Sequence, residues 1–248
     1  MNYLITGATS GLGFEIYKII KNNPSNKIYI LSKNKKKNSI LSKDKNTFCY
    51  DVDFRNENLL KENIKKIIKS SKKKIDVLIC NVAQATNGTI FNTPNKIYKE
   101  DFNVNFYSHM LVVKNIYKIM KKKNFGHIVN ISSGCAIVGM DNYSSYSISK
   151  SSMQIFMESL FLENECESIA IKNFFPGLIN TNFKKKGKNY SKKKKHELYK
   201  ISDKTKIAKK IFKNLYTKKF SNFFQLAPSL AFSIKNNLSI YKKIKSLL

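Results

Sequence analysis

Six short apolar runs punctuate the chain: NYLIT (2–6), KIYILS (27–32), TFCYDV (47–52), IDVLIC (75–80), GHIVNIS (126–132) and SIAIKNFFP (168–176). They are rich in β-branched and aromatic residues and nearly continuous in their apolar character, which is the pattern of strands buried on both faces. Between them lie longer segments whose apolar residues recur at helical spacing, over 12–22, 55–70, 95–122, 144–166 and 203–217. Strand and helix alternating in this way predict a parallel sheet covered by helices on both sides, a doubly wound, Rossmann-type α/β fold. Ligands of such sheets sit beyond the carboxyl ends of the strands, so the residues that follow each strand are where chemistry is expected.

Length and composition fit that picture. The 248 residues, 42% of them hydrophobic and 12% aromatic, suffice for one core, so a single domain over 1–248 is expected. Within it, 1–181 forms the core, 182–202 a Lys-rich loop over the substrate, and 203–248 a C-terminal helix and tail. No apolar run approaches the roughly 20 residues that span a bilayer, and MNYLITG has no basic leader followed by a long apolar stretch. Cys49, Cys80, Cys135 and Cys166 form no C-x-x-C pair and the three His stand apart, which argues against a disulfide framework and against a metal site. A cytoplasmic protein is expected.

The net charge of +30 suggests nucleic acid or an anionic membrane as a partner. Its composition speaks against the first, because Arg55 is the one arginine among 46 basic residues. Nucleic-acid surfaces recruit arginine for two-pronged phosphate and guanine contacts that a lysine cannot replace. Lys and Asn in joint excess read as compositional drift, and no specific nucleic-acid partner is expected.

The first strand runs into Thr6-Gly7-Ala8-Thr9-Ser10-Gly11-Leu12-Gly13, followed by a helical pattern. Three glycines at a strand-to-helix turn let the backbone bend sharply and approach a pyrophosphate, which the helix N-terminus stabilises. Gly7, Ser10, Gly11, Leu12 and Gly13 are therefore expected to contact a dinucleotide. The choice between NAD and NADP falls at the end of the second strand, where an acid would hold the ribose 2′-hydroxyl and a base the 2′-phosphate. That position reads Ser32-Lys33 with no acid, so NADP(H) is expected in preference to NAD(H).

Asn130-Ile-Ser132-Ser133-Gly134 closes the fifth strand, and Tyr146-Ser-Ile-Ser-Lys150 opens the next helix. Tyr146 and Lys150, four residues apart, share one helical face. A tyrosine with a reference pKa of about 10 needs about 4 kcal/mol of differential stabilisation of its phenolate to act near neutrality, which an ammonium and a cationic nicotinamide ring could supply. Ser133 would orient the substrate oxygen beside Tyr146.

These residues together resemble the compact branch of the short-chain dehydrogenase/reductases. The resemblance runs in order through Thr6-Gly7…Gly11-x-Gly13, Asn81-Val-Ala83, Asn105, Ser133, Tyr146, Lys150 and Pro176-Gly177…Thr181. It implies that Tyr146 is the general acid/base and that Lys150 binds the nicotinamide ribose and lowers the tyrosine pKa. It also implies that Ser133 positions the substrate and that Asn105 anchors a water in a proton relay. By the same resemblance Asp51-Val52 contacts adenine, Asn81 and Ala83 flank the adenine ribose, and Ile179 and Thr181 contact the nicotinamide carboxamide. The activity it implies is hydride transfer between the nicotinamide and a carbonyl or secondary alcohol. The alternative is a basic protein that binds nucleic acid or a membrane surface on the same fold without turnover.

Three features depart from the family pattern. The usual N-N-A-G reads Asn81-Val82-Ala83-Gln84, the V-D-G-G ending is absent, and an apolar stretch at 223–234 runs into a basic tail. That ending points to a hydrophobic substrate and to weak contact of the tail with an anionic membrane, or to a tail packed on its own domain or a partner subunit. The segment 147–165 is apolar around most of its circumference, so a homodimer or homotetramer through this helix is expected. The charge is also uneven: 126–181 holds Lys150 and Lys172 against Asp141, Glu158, Glu163, Glu165 and Glu167, while 184–210 holds 13 Lys against Glu197 and Asp203. An anionic substrate or cofactor would be drawn to that rim.

Overall fold

The structure, a computed structural model, describes residues 1–181, 188–191, 202–216 and 220–224. One parallel sheet organises them. Its strands are β1 (Asn2–Thr6), β2 (Lys27–Ser32), β3 (Thr47–Asp51), β4 (Val77–Cys80), β5 (Gly126–Ile131), β6 (Ile169–Phe175) and β7 (Phe220–Phe224), in the order β3-β2-β1-β4-β5-β6-β7. The order reverses between β1 and β4, which opens the crevice where a doubly wound sheet takes its ligand.

The helices are α1 (Gly11–Lys21), α2 (Lys35–Leu41), α3 (Glu57–Ser70), α4 (Asn95–Phe102), α5 (Ser108–Lys123), α6 (Ser144–Leu162) and α7 (Lys204–Lys213). Alternation along the strands sends side chains to two cores. Leu4, Leu31, Leu78, Ile128 and Ile171 pack with Ile64 and Ile67 of α3, Ile116 of α5 and Met153 and Met157 of α6. Ile5, Ile30, Ile79, Val129 and Phe174 pack on the other side with Ile16 and Ile20 of α1 and Ile207 and Ile211 of α7. Both faces of the central strands are thereby dry, and this is why the strands read as unbroken apolar runs.

Three features depart from the sequence reading. The helix expected over 95–122 is broken by a π-turn at Asn103–Tyr107, which separates α4 from α5. The short helix α2 was not anticipated: five of its seven residues are Lys, Asn or Ser, only Asn38 is buried, and Asn34 caps its first turn by accepting from Lys37 N–H at 3.1 Å. β7 was not anticipated either; it pairs with β6 from Ile171↔Phe220 to Phe175↔Phe224. Most of the Lys-rich loop and the tail beyond 224, on which the expected membrane contact falls, lie outside the described residues.

Lys172 has no exposed surface and sits among the apolar residues of β6. Its ammonium donates to the carbonyls of Asn214 at 2.9 Å and Leu215 at 2.6 Å, at the end of α7. A cation there meets the negative end of the helix dipole and ties α7 to the sheet. Ile171, fully buried in the opposite core, is expected to cost about 2–5 kcal/mol of stability as Ile171→Ala. Urea unfolding followed by circular dichroism checks this through the drop in midpoint.

Candidate active site

The turn after β1 is built by close backbone approach. Gly7 has φ +72° and Gly11 φ +58°, in the left-handed region that side chains rarely adopt. A Cβ on Gly7 would lie 2.8 Å from Val82 Cγ2, and one on Gly13 would lie 2.5 Å from Asn81 Nδ2. Asn81 donates through Nδ2 to the carbonyls of Thr6 and Gly7, each at 3.1 Å. The Thr6 hydroxyl accepts the N–H groups of Asn81 at 2.7 Å and Val82 at 3.0 Å. The Asn81 amide is thus engaged in holding the turn, with Ala83 half-buried two residues on.

Ser10 caps α1 from an extended conformation and makes no side-chain cap bond; the first turn carries no acid. The first N–H groups of a helix lack partners within it, and here no side chain takes their place, so Gly11, Leu12 and Gly13 offer a donor set that fits an anion. The glycine cradle and this uncapped helix end together fit a dinucleotide pyrophosphate.

At the ends of β2 and β3, Ser32 is buried, with Oγ 3.0 Å from Thr9 Oγ1, while Lys33 is exposed. Asp51 accepts from Asn38 Nδ2 at 2.6 Å, and Val52 is buried. Arg55 folds onto Asp53, with Nε donating to Oδ1 at 3.0 Å. That guanidinium, with a smaller contribution from Lys33, draws the Asp53 carboxyl down to about 2. Beyond β6, Pro176 is buried and the Thr181 methyl lies 3.4 Å from where a Cβ on Gly11 would stand. Ile179 pairs with Ser202 across the Lys-rich loop, and Asn180 N–H donates to Ser202 O at 3.0 Å. Residues 188–191 return against the loop after β4, where Asn87 N–H donates to Lys188 O at 2.9 Å.

The chemistry-bearing side chains converge between β5 and α6. Ser133 caps a short 3₁₀ turn at Gly134–Ala136 and accepts from Cys135 N–H at 3.3 Å. Tyr146 and Lys150 are buried, and the phenol is hydrogen-bonded to Ser133. Lys150 Nζ donates to Ile131 O at 2.8 Å and stands 6.0 Å from the Tyr146 ring centroid. Burial pushes the Tyr146 phenol above its ordinary range, while the Ser133 hydrogen bond favours the phenolate. Burial brings the Lys150 ammonium down to about 8.

Asn105 sits in the π-turn with its side chain fully engaged. Oδ1 accepts Gln84 N–H at 2.7 Å, and Nδ2 donates to Gln84 O at 2.8 Å and Ser149 Oγ at 2.9 Å. Ser149 in turn donates to Tyr146 O at 2.9 Å. These partners escaped the sequence reading, as did two buried groups beside them. Asp101 lies on the inward stripe of Ile97, Val104 and Asn105, and an acid on that stripe was the legible signal. His109 Nε2 lies 3.1 Å from Thr6 Oγ1, which also reaches Ile79 O at 3.5 Å. Nδ1 faces the backbone of Val104 and Asn105 without a well-aligned bond.

A doubly wound sheet with a glycine cradle at its reversal point and a Ser-Tyr-Lys cluster beside it defines a nucleotide-dependent oxidoreductase. A family model described as short chain dehydrogenase matches residues 2–191, and the chain belongs to the short-chain dehydrogenase/reductase family. It is 28% identical over 247 residues to the probable short-chain type dehydrogenase/reductase VdlC of Helicobacter pylori, covering 98% of this chain and 85% of that protein. Among solved structures it is similar to a short-chain dehydrogenase from Streptomyces avermitilis, at TM-score 0.83 and 19% identity over 99% of this chain and 97% of the other. It is also similar to ElxO with NADP bound, at TM-score 0.74 and 23% identity over 90% and 96% of the two chains. Members of this family bind nicotinamide cofactors.

His109 makes the site sensitive to acid. Burial holds its pKa at about 3, whereas the unfolded chain titrates near 6.5. As pH falls below about 6.5 the unfolded state takes up a proton that the folded state refuses, so the stability His109 contributes is present above that pH and lost on acidification. Urea midpoints measured from about pH 7 to pH 4 should fall for the wild type and fall less for His109→Gln.

Proposed function

We propose that the chain is an NADP(H)-dependent oxidoreductase that interconverts a carbonyl compound and a secondary alcohol, with Tyr146 as general acid/base. The observation that carries this reading is the buried Tyr146 phenol hydrogen-bonded to Ser133, with the Lys150 ammonium on the same helical face. When bound, the nicotinamide supplies or accepts the hydride at the substrate carbon.

In the reducing direction Tyr146 gives its proton to the substrate oxygen as hydride reaches the carbon, and Ser133 donates a hydrogen bond to the same oxygen. The Tyr146 phenolate left behind is stabilised by Lys150. A lysine drawn down to about 8 can return a proton near neutrality, and Asn105, locked by Gln84 and Ser149, keeps the adjoining backbone fixed for a relay. Oxidation runs the same steps backward. Gly7, Ser10, Gly11, Leu12 and Gly13 would hold the pyrophosphate; Asp51, Val52, Asn81 and Ala83 the adenosine; and Pro176, Gly177, Ile179 and Thr181 the nicotinamide.

The preference for NADP(H) rests on the end of β2. Lys33 is exposed there beside buried Ser32 with no acid on β2 itself, and the Asp53 that Lys33 acts on has its charge engaged by Arg55. The structurally similar ElxO carries NADP. The substrate is expected to be hydrophobic or anionic, and cysteines that form no disulfide suit a reducing cytoplasm.

Self-association is supported by the outer face of α6. Ile148, Ile155 and Leu162 are 53%, 58% and 82% exposed, and an apolar groove of about 710 Å³ beside them is lined by Phe102, Phe106, Ile137, Val138 and Phe156. A face of that kind calls for a second copy to cover it.

Two measurements test these readings. In fluorescence titrations NADPH should bind tighter than NADH, and Tyr146→Phe should keep that affinity while losing at least about 99% of turnover in a screen of carbonyl substrates. Binding of neither nucleotide, or a fully active Tyr146→Phe, would refute the reading. Light scattering at micromolar concentration should report a dimer or tetramer; a strict monomer would remove α6 as an interface.

A further inference from the structure

Asp101 is a carboxylate with no exposed surface that the steps above do not use. It lies one helical turn before Asn105, where the inward stripe of α4 otherwise carries Ile97 and Val104. A buried carboxylate is tolerated when its oxygens are hydrogen-bonded, and all the partners of Asp101 are donors. Gln84 Nε2 reaches Oδ1 at 2.8 Å, Thr86 Oγ1 reaches it at 3.3 Å, and Ser145 Oγ reaches Oδ2 at 2.7 Å. Among the described residues no lysine or arginine forms an ion pair with it.

The donors belong to the two segments that hold the active site. Ser145 precedes Tyr146 in the first turn of α6. Gln84 holds both polar ends of the Asn105 amide through its backbone, and Asn105 continues through Ser149 to the Tyr146 carbonyl. The bonds therefore close a ring, from Asp101 through Ser145 to Tyr146 and back through Ser149, Asn105 and Gln84. Tyr98 OH, 2.6 Å from Ser144 Oγ, adds a parallel tie from α4 to the same turn. In a dry interior such a closed circuit fixes geometry more firmly than isolated pairs.

We propose that Asp101 is a positioning residue of the active site: through Ser145 and Gln84 it fixes the first turn of α6, and with it the Tyr146 phenol, against the loop that locks Asn105. This rests on Tyr146 being the acid/base. The arrangement also carries an electrostatic consequence, because the Asp101 charge opposes formation of the nearby phenolate. The other titratable groups around the pair are few. Cys135 on the turn after β5 and Tyr143 before α6 act on the phenol, Lys150 stands one turn on with Cys80 of β4 and His109 of α5 near it, and Glu100 on α4 is tied to Lys188 at 3.1 Å.

Position and charge can be separated by reading the phenol itself. The probe is the near-ultraviolet phenolate absorbance of the NADP⁺-bound chain during a pH titration, taken as the difference between each protein and its Tyr146→Phe counterpart. Asp101→Asn removes the charge and keeps an oxygen for Ser145, while its amide nitrogen faces Gln84, whose side-chain amide can flip to accept it, so the Tyr146 phenolate should appear at lower pH by about one unit, a tenfold weaker hold on the proton. Ser145→Ala keeps the charge and frees the turn, which loosens the Ser133 hydrogen bond that favours the phenolate. Its phenolate should appear at higher pH, and this small change serves as the test if Asp101→Asn does not fold. Either variant titrating like the wild type would overturn the proposal. A wild-type titration that loses no component on Tyr146→Phe would instead overturn the acid/base reading beneath it, so the two failures are distinct.

Discussion

The architecture of the site depends on how closely the ends of β1 and β4 can approach. The Thr6 hydroxyl gathers the N–H groups of Asn81 and Val82 while the Asn81 amide reaches the carbonyls of Thr6 and Gly7, so four hydrogen bonds join two backbones where a sheet ladder would supply none. Residues with a Cβ at Gly7 or Gly13 would keep these chains apart. The same contact sets where α1 begins and aims its uncapped first turn at the crevice. It also explains how the chain tolerates Val82 and Gln84 in place of smaller residues. Val82 packs against the side of Gly7 where a Cβ would stand, and Gln84 turns outward from the turn to Asp101.

Behind that contact the electrostatics of the site are in tension. Burial opposes charge on both Tyr146 and Lys150, pushing the phenol up and the ammonium down. Lys150 donates to Ile131 O, and its ammonium stands 6.0 Å from the Tyr146 ring centroid. A bound cationic nicotinamide would add positive charge that favours the phenolate.

What the sequence made legible follows from which residues had to be buried. β1, β4, β5 and β6 lie between two cores, so their apolar runs admitted no other reading. The spacing of Gly7, Gly11, Gly13, Ser133, Tyr146 and Lys150 was legible because each answers a steric or chemical demand that few residue types meet. α2 was not, since one buried Asn among exposed lysines gives no helical period. The π-turn was hidden because apolar spacing on either side of one extra residue still resembles a single helix over 95–122. Asp101, Gln84 and Ser145 were hidden for another reason: each is unremarkable alone, and the ring they form depends on three segments distant in sequence.

The same distinction between buried and solvated groups bears on the net charge of +30. Lys150 and Lys172, the two lysines of the acidic stretch 126–181, are buried and spend their charge on backbone carbonyls. The lysines of α2 and of the last turn of α5 are exposed or half-buried and sit where solvent screens them. A drift toward lysine is tolerated at solvated positions because exposed ion pairs contribute little and exposed cations cost little. At buried positions a new lysine would need a complete set of acceptors, as Lys172 has at the end of α7. Among the described residues the excess therefore lies on the exterior. An exterior so charged raises the local concentration of any anionic ligand at low salt, and this gain falls as ionic strength rises.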